Sequence, residues 1–272
     1  MPIPKLKIIE TNPVLQDYEQ LKNKLFIDTD SVIEKPPICL SIVQHGKNYR
    51  FGTLGNFSCI GGKGKARKGF LVSAIIASCL GYSNILNFNA HLTIGKKIVL
   101  FDTEQGDYDL QIAAKRAIRL NNLNQHPDYF DVYALRQLTT SDRVYFIEQY
   151  LEKTKDVGII FIDGIRDLLI DINNTDQSTE LTTKLMQWTK VYNIHICVIL
   201  HENPGSDKLR GHLGTEITNK AETVISVEKP KENQDLSIVI PKATRGTIPF
   251  KEFAFLINEY GLPELTDYEL TF

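Results

Sequence analysis

The sequence lacks several features that mark particular classes of protein. It has no apolar run close to the ~20 residues that a membrane-spanning helix needs. Its first residues, MPIPKLKIIETNP, lack the apolar stretch and the small-residue cleavage site of a signal peptide. Its four cysteines stand far apart, without the C-x-x-C or Cys/His spacing of a zinc site. We therefore expect a reduced, cytoplasmic protein with mostly buried free thiols and no contact with a membrane.

An excess of charge of one sign is also missing. The formal net charge of −2 over 272 residues gives no overall basic field, so contact with nucleic acid would require a local basic patch. With 42% hydrophobic and 24% charged residues, the composition is that of an ordinary globular protein. The length allows one large α/β domain with appendages or two small domains.

The hydrophobic pattern changes near residue 36. Residues 1–35 are polar and interrupted by prolines, and they predict an N-terminal arm with one amphipathic helix in NPVLQDYEQLKNKLF. From Ile38 onwards, apolar strand-like runs alternate with helix-like segments, and the last two runs, LSIVIPKATRG and KEFAFLIN, are typical of a hairpin. This order predicts one α/β domain over residues 36–272, with a mostly parallel central sheet, helices on both faces and an antiparallel C-terminal hairpin.

Polar residues and loop signals set several element boundaries. The segment TSDRVYFIEQYLEKTK predicts a helix capped by Thr140 or Ser141. The polar run NNTDQSTE predicts a loop, so that the next helix, LTTKLMQWTKVYN, begins at Leu181. The run ENPGSDKLRGHLG likewise predicts a loop before a short helix that begins at Thr215. A first hairpin is predicted between ICLSIVQ and YRFGTLG, around HGKN.

Residues 58–74, SCIGGKGKARKGFLVSA, have the outline of a phosphate-binding loop, because a strand runs into a turn rich in Gly and Lys and then into an apolar helix. In the usual form, G-x-x-x-x-G-K-[ST], backbone N–H groups and the helix dipole hold the phosphates. The lysine reaches the terminal phosphates and the hydroxyl binds magnesium. Counted from Gly62, the lysine is present as Lys68, whereas Arg67 replaces the second glycine and Gly69 replaces the hydroxyl residue.

The turn is strongly basic, since Lys63, Lys65, Arg67 and Lys68 place four cations within six residues. Holding like charges this close costs energy unless an anion or solvent compensates them. Two interpretations of the turn alone remain open. It is either a solvated basic turn before a helix or an anion-binding loop.

Three apolar runs end in residues that a phosphate-binding fold can use. GIIFIDG ends with Asp163, and HICVILH ends with His201. IVLFDTEQ ends with Asp102 and Glu104. The carboxyl ends of parallel strands meet at one edge of a sheet, where carboxylates for a metal shell and for an attacking water converge. We therefore predict that Glu104, Asp163 and His201 cluster near Lys68; the alternative is that each is merely a polar residue leaving a strand.

The order of these motifs is similar to that of the RecA-like P-loop ATPases, especially the branch that contains plasmid RepA hexameric helicases and the RadA and KaiC proteins. Five segments carry the resemblance and together span about residues 50–257. They are GTLGNFSCIGGKGKARKGF, LFDTEQGDYDLQIAAKRAIRL, IIFIDGIRDLL, VILHENPGSDKLRGHLGTEITNKAETVISVEK and IPKATRGTIPFKEFAF. The first looks like a loop of the form G-K-x-K-S-x-K-T-F. The second resembles a segment in which a strand-end Glu precedes a helix with Gln, Arg-Ala and Arg-Leu.

The resemblance implies a RecA-like P-loop fold, with ATP and Mg²⁺ as ligands. It implies that Glu104 polarises the attacking water and that Asp163 binds Mg²⁺ through water. Ala66 and Gly69 stand where the family form has hydroxyl residues, so the loop is a degenerate one in which anion binding is more secure than metal binding. The residues implied to bind nucleotide are Gly62, Lys63, Gly64, Lys65, Ala66, Arg67, Lys68, Gly69 and Phe70.

The resemblance also assigns residues to communication between subunits. His201 and Arg210 would sense the phosphate or couple it to a neighbouring subunit. Lys242 and Arg245 would reach across a subunit interface, as an arginine finger does. These assignments imply a homo-oligomer, such as a hexamer, with nucleotide and DNA as further partners.

Two functions are consistent with these observations. The first is an ATPase or helicase-like factor in the replication or mobilisation of plasmid or transposon DNA. The second is an accessory protein that associates with DNA and binds nucleotide or another anion without hydrolysing it. Arg67 and Gly69 favour the second function, whereas Glu104, Asp163 and His201 favour the first.

Overall fold

The computed structural model of the protein describes residues 18–266, in two units that divide after Lys35. In the first unit, helix α1 (Tyr18–Leu25) buries none of its side chains. Residues 1–17 of the predicted arm lie outside the described residues. They include the part of the predicted amphipathic helix that precedes α1. Residues 267–272 of the predicted domain lie outside them as well.

The second unit alternates strands and helices along the chain. Its strands are β1 (Ile38–Gln44), β2 (Lys47–Thr53), β3 (Phe57–Gly62), β4 (Asn84–Ile85), β5 (Phe88–Ala90), β6 (Lys97–Asp102), β7 (Phe130–Ala134), β8 (Val157–Asp163), β9 (His195–Ile199), β10 (Thr223–Glu228), β11 (Leu236–Thr244), β12 (Phe253–Ile257) and β13 (Pro263–Thr266). Its helices are α2 (Lys68–Gly81), α3 (Asp107–Leu120), α4 (Thr140–Lys153), α5 (Thr175–Tyr192) and α6 (Gly211–Lys220). A short 3₁₀ helix, Ile165–Leu168, follows β8.

Nine of these strands form one sheet, in the order β13-β12-β11-β10-β3-β9-β8-β6-β7. From β10 to β7 the neighbouring strands run parallel. From β10 to β13 they run antiparallel. The predicted parallel centre and the predicted C-terminal hairpin of β11 and β12 are therefore confirmed. The sequence pattern does not predict the additional edge strand β13.

A smaller sheet has the strand order β2-β1-β5-β4. The predicted first hairpin is confirmed, because β1 and β2 pair in antiparallel fashion. Strands β4 and β5 lie in the stretch SNILNFNA, for which the sequence pattern predicts no strand. β5 joins the hairpin by pairing with β1, so this stretch completes the smaller sheet.

The large sheet is covered on both faces. Along β6, Leu100 packs into a core that contains residues of α2, α3 and the smaller sheet. The next residue, Phe101, packs into a second core with residues of α4, α5 and α6. Adjacent residues of a strand point to opposite faces, and both faces are buried, which explains the continuous apolar runs in the sequence. All four cysteines are buried free thiols, as expected for most of them.

Helix α4 has a different cap from the one predicted. Thr139, and not Thr140 or Ser141, is its N-cap residue. The Thr139 Oγ1 accepts a hydrogen bond from the Asp142 backbone N–H at 3.3 Å, which satisfies one of the donors that a helix start leaves free. The helix itself is confirmed. Among residues 18–266, none of the helices combines the length and the hydropathy that crossing a bilayer requires.

Two other helices begin earlier than predicted. α5 begins at Thr175 and not at Leu181, because the predicted loop residues form its first turns. Asn174 caps this start by accepting a hydrogen bond from the Gln177 N–H at 3.0 Å on its Oδ1 atom. α6 also begins before Thr215. In both cases the polar residues lie on helical turns, since short polar side chains favour helix starts as well as loops.

The strand order places the functional candidates at one edge of the sheet. β3, which leads into the basic loop, lies between β9 and β10. β8 lies between β9 and β6, so that Asp102 and Asp163 are direct neighbours at the ends of β6 and β8. Because these strands are parallel, their carboxyl ends open on the same side of the sheet.

Candidate functional site

The basic loop has the predicted strand–loop–helix form. It leaves β3 at Gly62, which has φ = 144°, and enters α2 at Lys68. A Cβ atom on Gly62 would lie 2.5 Å from the Val227 carbonyl oxygen, so only glycine fits this close approach to β10. Lys65 and Arg67 also have left-handed backbones, with φ of 63° and 72°. Non-glycine residues rarely adopt this conformation, which marks the loop as a candidate functional segment.

The loop leaves the amino end of α2 open. Arg67 is the N-cap residue, but its side chain makes no capping hydrogen bond. Instead its guanidinium bonds to the Asp235 backbone carbonyl and lies 3.7 Å from the Asp235 carboxylate. The backbone N–H groups of Lys68 and Gly69 have no acceptor within the described part of the chain. Free N–H groups and the positive end of the helix dipole favour an anion here.

Lys68 is the buried cation of the loop, with a relative exposure of 7%. Its Nζ donates to the carbonyl oxygens of Gly62 at 2.8 Å and Lys63 at 2.9 Å. It also lies 3.0 Å from the His201 Nδ1. Burial lowers the pKa of Lys68, although the charges of nearby carboxylates, Asp163 first among them, oppose this effect.

Glu104 and His201 form a second contact beside the lysine. The His201 Nε2 lies 3.6 Å from a Glu104 carboxylate oxygen, and both side chains are about two-fifths exposed. The pKa of Glu104 is lowered, chiefly by its interaction with His201 and in part by the positive charge of Lys68. His201 therefore bridges the lysine of the loop and a carboxylate that stays ionised. Sequence reasoning predicted this clustering, and the structure brings the residues together.

Asp102 and Asp163 have different surroundings, although they are neighbours. Asp102 is fully buried, and its carboxylate accepts hydrogen bonds from the Glu104 and Gln105 N–H groups at 2.9 and 2.7 Å. These bonds hold the turn that carries Glu104. The Asp163 carboxylate accepts no hydrogen bond from residues 18–266. Burial and the charges of Asp102 and Glu104 raise the pKa of Asp163 to about 7.

Lys68, Glu104, Asp163 and His201 line one pocket of about 290 Å³, whereas Asp102 does not line it. The predicted site residues that line it are Lys65, Ala66, Arg67, Lys68, Gly69, Phe70, Glu104, Asp163 and His201. Ser73, Gln105 and Arg116 also line it and were missed by sequence reasoning. A larger groove, about 660 Å³, lies between α4 and α5 and contains none of the predicted site residues.

Three predicted loop residues lie outside this pocket. The Gly62 carbonyl contacts Lys68 but does not line the pocket. Lys63 and Gly64 line a separate pocket of about 380 Å³, together with Glu228. The predicted loop therefore contributes to two pockets, of which one contains the strand-end carboxylates.

Of the four residues implied to act between subunits, His201 lines the pocket and the other three lie outside it. Arg210 precedes α6, and its backbone N–H donates to the His201 carbonyl at 2.9 Å. Lys242 pairs with Glu228 at 2.9 Å and, more weakly, with Asp207 at 3.5 Å. The Arg245 guanidinium donates to a backbone carbonyl of α6 at 2.6 Å. Their action across an interface stays a prediction.

The side chains of the pocket are compatible with Mg²⁺ held mainly by water. Within residues 18–266, no group of three or more His, Cys, Asp or Glu side chains forms a complete metal-binding cluster. However, a divalent cation would favour the ionised form of Asp163, against the burial and the carboxylate repulsion that raise its pKa, and carboxylate oxygens are ligands that Mg²⁺ prefers. The usual hydroxyl ligand is missing at Gly69, where a Cβ atom would meet nothing within 4 Å.

Comparison with known proteins identifies the fold of the chain. No protein-family model matches the sequence, and no curated protein matches it significantly. Among solved structures, the chain is similar to the RadB recombinase, with a TM-score of 0.53 and 15% sequence identity. The match covers 78% of this chain and 91% of the recombinase. At this identity the similarity shows the fold alone, and the protein has the RecA-like α/β fold.

Proposed function

We propose that the protein binds a nucleoside triphosphate, ATP, with the phosphates on the loop from Gly62 to Phe70. The observation that carries this proposal is the pairing of the open amino end of α2 with the buried Lys68. Free N–H groups hold phosphate oxygens, and a lysine beside them adds charge. The RecA-like fold supports the proposal, because its central strand leads into this loop.

The strand-end residues support hydrolysis of the bound nucleotide. Glu104 has a lowered pKa and is ionised at neutral pH, so it can orient and polarise a water that attacks the terminal phosphate. His201 holds Glu104 and contacts Lys68, so a phosphate that draws Lys68 also acts on Glu104. Asp163 would hold Mg²⁺ through water, and the ion, when bound, neutralises the charge of the phosphates.

A second candidate function is binding without hydrolysis. The observation that favours it is the combination of Gly69, which supplies no hydroxyl, and Arg67, whose side chain is engaged by Asp235. Lys68 in turn bonds to two carbonyl oxygens of its own loop. In this case the protein would be an accessory factor that responds to nucleotide by moving these side chains.

The wider role extends the same proposal. We propose DNA and further copies of the chain as partners, in the replication or mobilisation of plasmid or transposon DNA. The support is the resemblance of the ordered motifs to the branch that contains RepA-type helicases. Arg210, Lys242 and Arg245 are the residues that would act between subunits in a hexamer or a similar ring.

The test combines calorimetric ATP binding with ATP turnover, measured with and without single-stranded DNA. Lys68→Ala should weaken ATP binding by about 10- to 100-fold, as loss of hydrogen bonds to a charged group predicts. The control is Lys96→Ala, which removes a lysine that pairs with Asp156 at 3.3 Å on the surface. Circular dichroism checks that both variants fold. ATP binding that is equal in both variants would overturn the proposal, and binding without turnover would select the second candidate.

A further inference from the structure

Arg116 on α3 lies in the wall of the pocket described above. Its guanidinium carbon is 3.8 Å from the centre of the Phe70 ring, which lies in the first turn of α2. Its Nη1 donates to the Ser73 Oγ at 3.2 Å. Stacking and this hydrogen bond hold the guanidinium in one place beside the loop, so that it is a fixed charge and not a mobile surface cation.

This cation has no anionic partner in the described part of the chain. None of the ion pairs formed within residues 18–266 includes Arg116. The pKa of Arg116 is lowered by partial burial and then by the like charge of Arg119. Taking a charge out of water without a counter-ion is unfavourable, and a bound anion would compensate it. The cation–π contact with Phe70 offsets part of this cost but leaves the N–H donors of the guanidinium unpaired with any carboxylate.

Arg116 lies on the side of the phosphate loop where Gly69 takes the place of the usual hydroxyl residue. Ser73, which Arg116 contacts, lies one helical turn after Gly69 and donates from its Oγ to the Gly69 carbonyl at 2.9 Å. Side chains four residues apart lie on the same face of a helix. A side chain at position 69 would therefore point along the face that carries Ser73, into the space that is open within 4 Å of the Gly69 Cβ position. The guanidinium lies beside the place where the loop lacks its hydroxyl.

We infer that Arg116 binds a phosphate oxygen of the ligand directly and supplies part of the positive charge that the loop cannot recruit through a hydroxyl-bound metal. The inference rests on the proposed function, because it assigns a contact to the same ligand. The inference further states that the ligand is a polyphosphate. Its binding depends on the Arg116 guanidinium and depends only weakly on Mg²⁺. A guanidinium suits this role, since its planar N–H donors match two phosphate oxygens at once.

The experiment measures binding of ATP and of inorganic pyrophosphate by calorimetry, in EDTA and in Mg²⁺. Arg116→Gln should weaken the binding of both ligands in EDTA by at least about 10-fold. The matched control is Arg119→Gln, which removes an arginine of the same helix whose Nη2 donates to the Tyr260 carbonyl. The control should change the affinity by less than about 2-fold. In wild type, adding Mg²⁺ should raise the affinity less than it does in Gly69→Thr, which restores a hydroxyl.

Each outcome decides between the two claims. ATP and pyrophosphate binding in wild type that Arg116→Gln leaves unchanged would overturn the role of Arg116 and leave the proposed function intact. Equal losses in Arg116→Gln and Arg119→Gln would indicate a general charge effect and would also overturn it. No binding by wild type in either buffer would overturn both. If Arg116→Gln does not fold, Arg116→Met keeps contact with Phe70 without the charge, and the same losses are expected from it.

Discussion

His195 and His201 lie at opposite ends of the same strand, and their surroundings differ in every respect that bears on function. His195 begins β9 and is fully buried. Its Nδ1 lies 3.0 Å from the Thr53 carbonyl, and its Nε2 lies 2.9 Å from the Ser58 Oγ. His201 follows the other end of β9, is half-exposed and lies between Lys68 and Glu104.

The difference shows that a histidine can be a structural link at one end of a strand and remain available to a ligand at the other end. The partners of His195 are neutral, and burial lowers its pKa to about 4, so it remains an uncharged link between β9 and the neighbouring segments. The partners of His201 are the Lys68 ammonium and the Glu104 carboxylate. A bound ligand can displace these groups or change the charge around them. His195 at the amino edge of the sheet therefore has both ring nitrogens next to neutral partners, whereas His201 at the carboxyl edge contacts charged groups that a ligand can still engage.

The largest effect expected from this comparison is on the free energy of unfolding. His195→Leu should lower the free energy of unfolding by about 2–4 kcal/mol, because the Thr53 carbonyl and the Ser58 hydroxyl lose a buried partner. His201→Leu should change it by less than about 0.5 kcal/mol, as is usual for partly exposed positions. Urea denaturation of both variants measures the difference. Similar losses in the two would break the comparison, since His201 would then also be a structural residue.

The second effect is the pH dependence that His195 gives to stability. Its pKa is about 4 in the folded protein and 6.5 in the unfolded chain, so the unfolded state binds a proton first as the pH falls. The stabilisation that comes from the neutral, buried His195 is complete above pH 6.5 and is lost on acidification towards pH 4, by about 3 kcal/mol. His195→Gln should lose less stability than wild type over this range. Denaturation curves at several pH values test this, and parallel profiles would contradict it.

Asp163 at the carboxyl edge should give a dependence of the opposite sign. Its folded pKa of about 7 exceeds the ordinary value of 3.8, so folding favours its protonated form. Above pH 7 the ionised carboxylate destabilises the folded state, and this cost disappears as the pH falls towards 4. Asp163→Asn should therefore be about 1–2 kcal/mol more stable than wild type at pH 8, a discounted figure because the side chain is partly exposed. Equal stability of the two proteins at pH 8 would contradict this.

The sequence could predict those parts of the site that depend on strand ends. Asp163, Glu104 and His201 each follow an apolar run, and a parallel sheet brings the ends of such runs to one edge. Lys68 could be predicted because the glycines and the helix around it belong to one short segment. The parallel sheet itself followed from strands that are apolar on both faces.

The rest depends on contacts between distant segments. Arg116 comes to Phe70 only because α2 and α3 pack together, and no local signal separates it from Arg119, its neighbour on the same helix. Asp235 engages Arg67 across 168 residues of sequence. The start of α5 was missed because Asn174 and the residues after it suit a loop and a helix cap equally well. Strands β4 and β5 are too short for an alternating pattern to be visible.

The smallest effect on stability is expected from Gly69→Thr, which nevertheless tests the carboxyl edge most directly. A Cβ atom at this position meets nothing within 4 Å, and threonine forms helix slightly better than glycine, so stability should rise by a few tenths of a kcal/mol. The new hydroxyl lies at the place where phosphate loops bind magnesium, so Mg²⁺ should increase ATP affinity more in this variant than in wild type. Calorimetry with and without Mg²⁺ measures this difference.

Arg67→Gly is the matched comparison. It places the usual glycine at the other position where this loop departs from the common form, but it removes the contact with Asp235 and adds no metal ligand. If Arg67→Gly gained Mg²⁺ dependence and Gly69→Thr did not, the missing hydroxyl would not be what limits the loop, and position 69 would not set the metal dependence of the carboxyl edge.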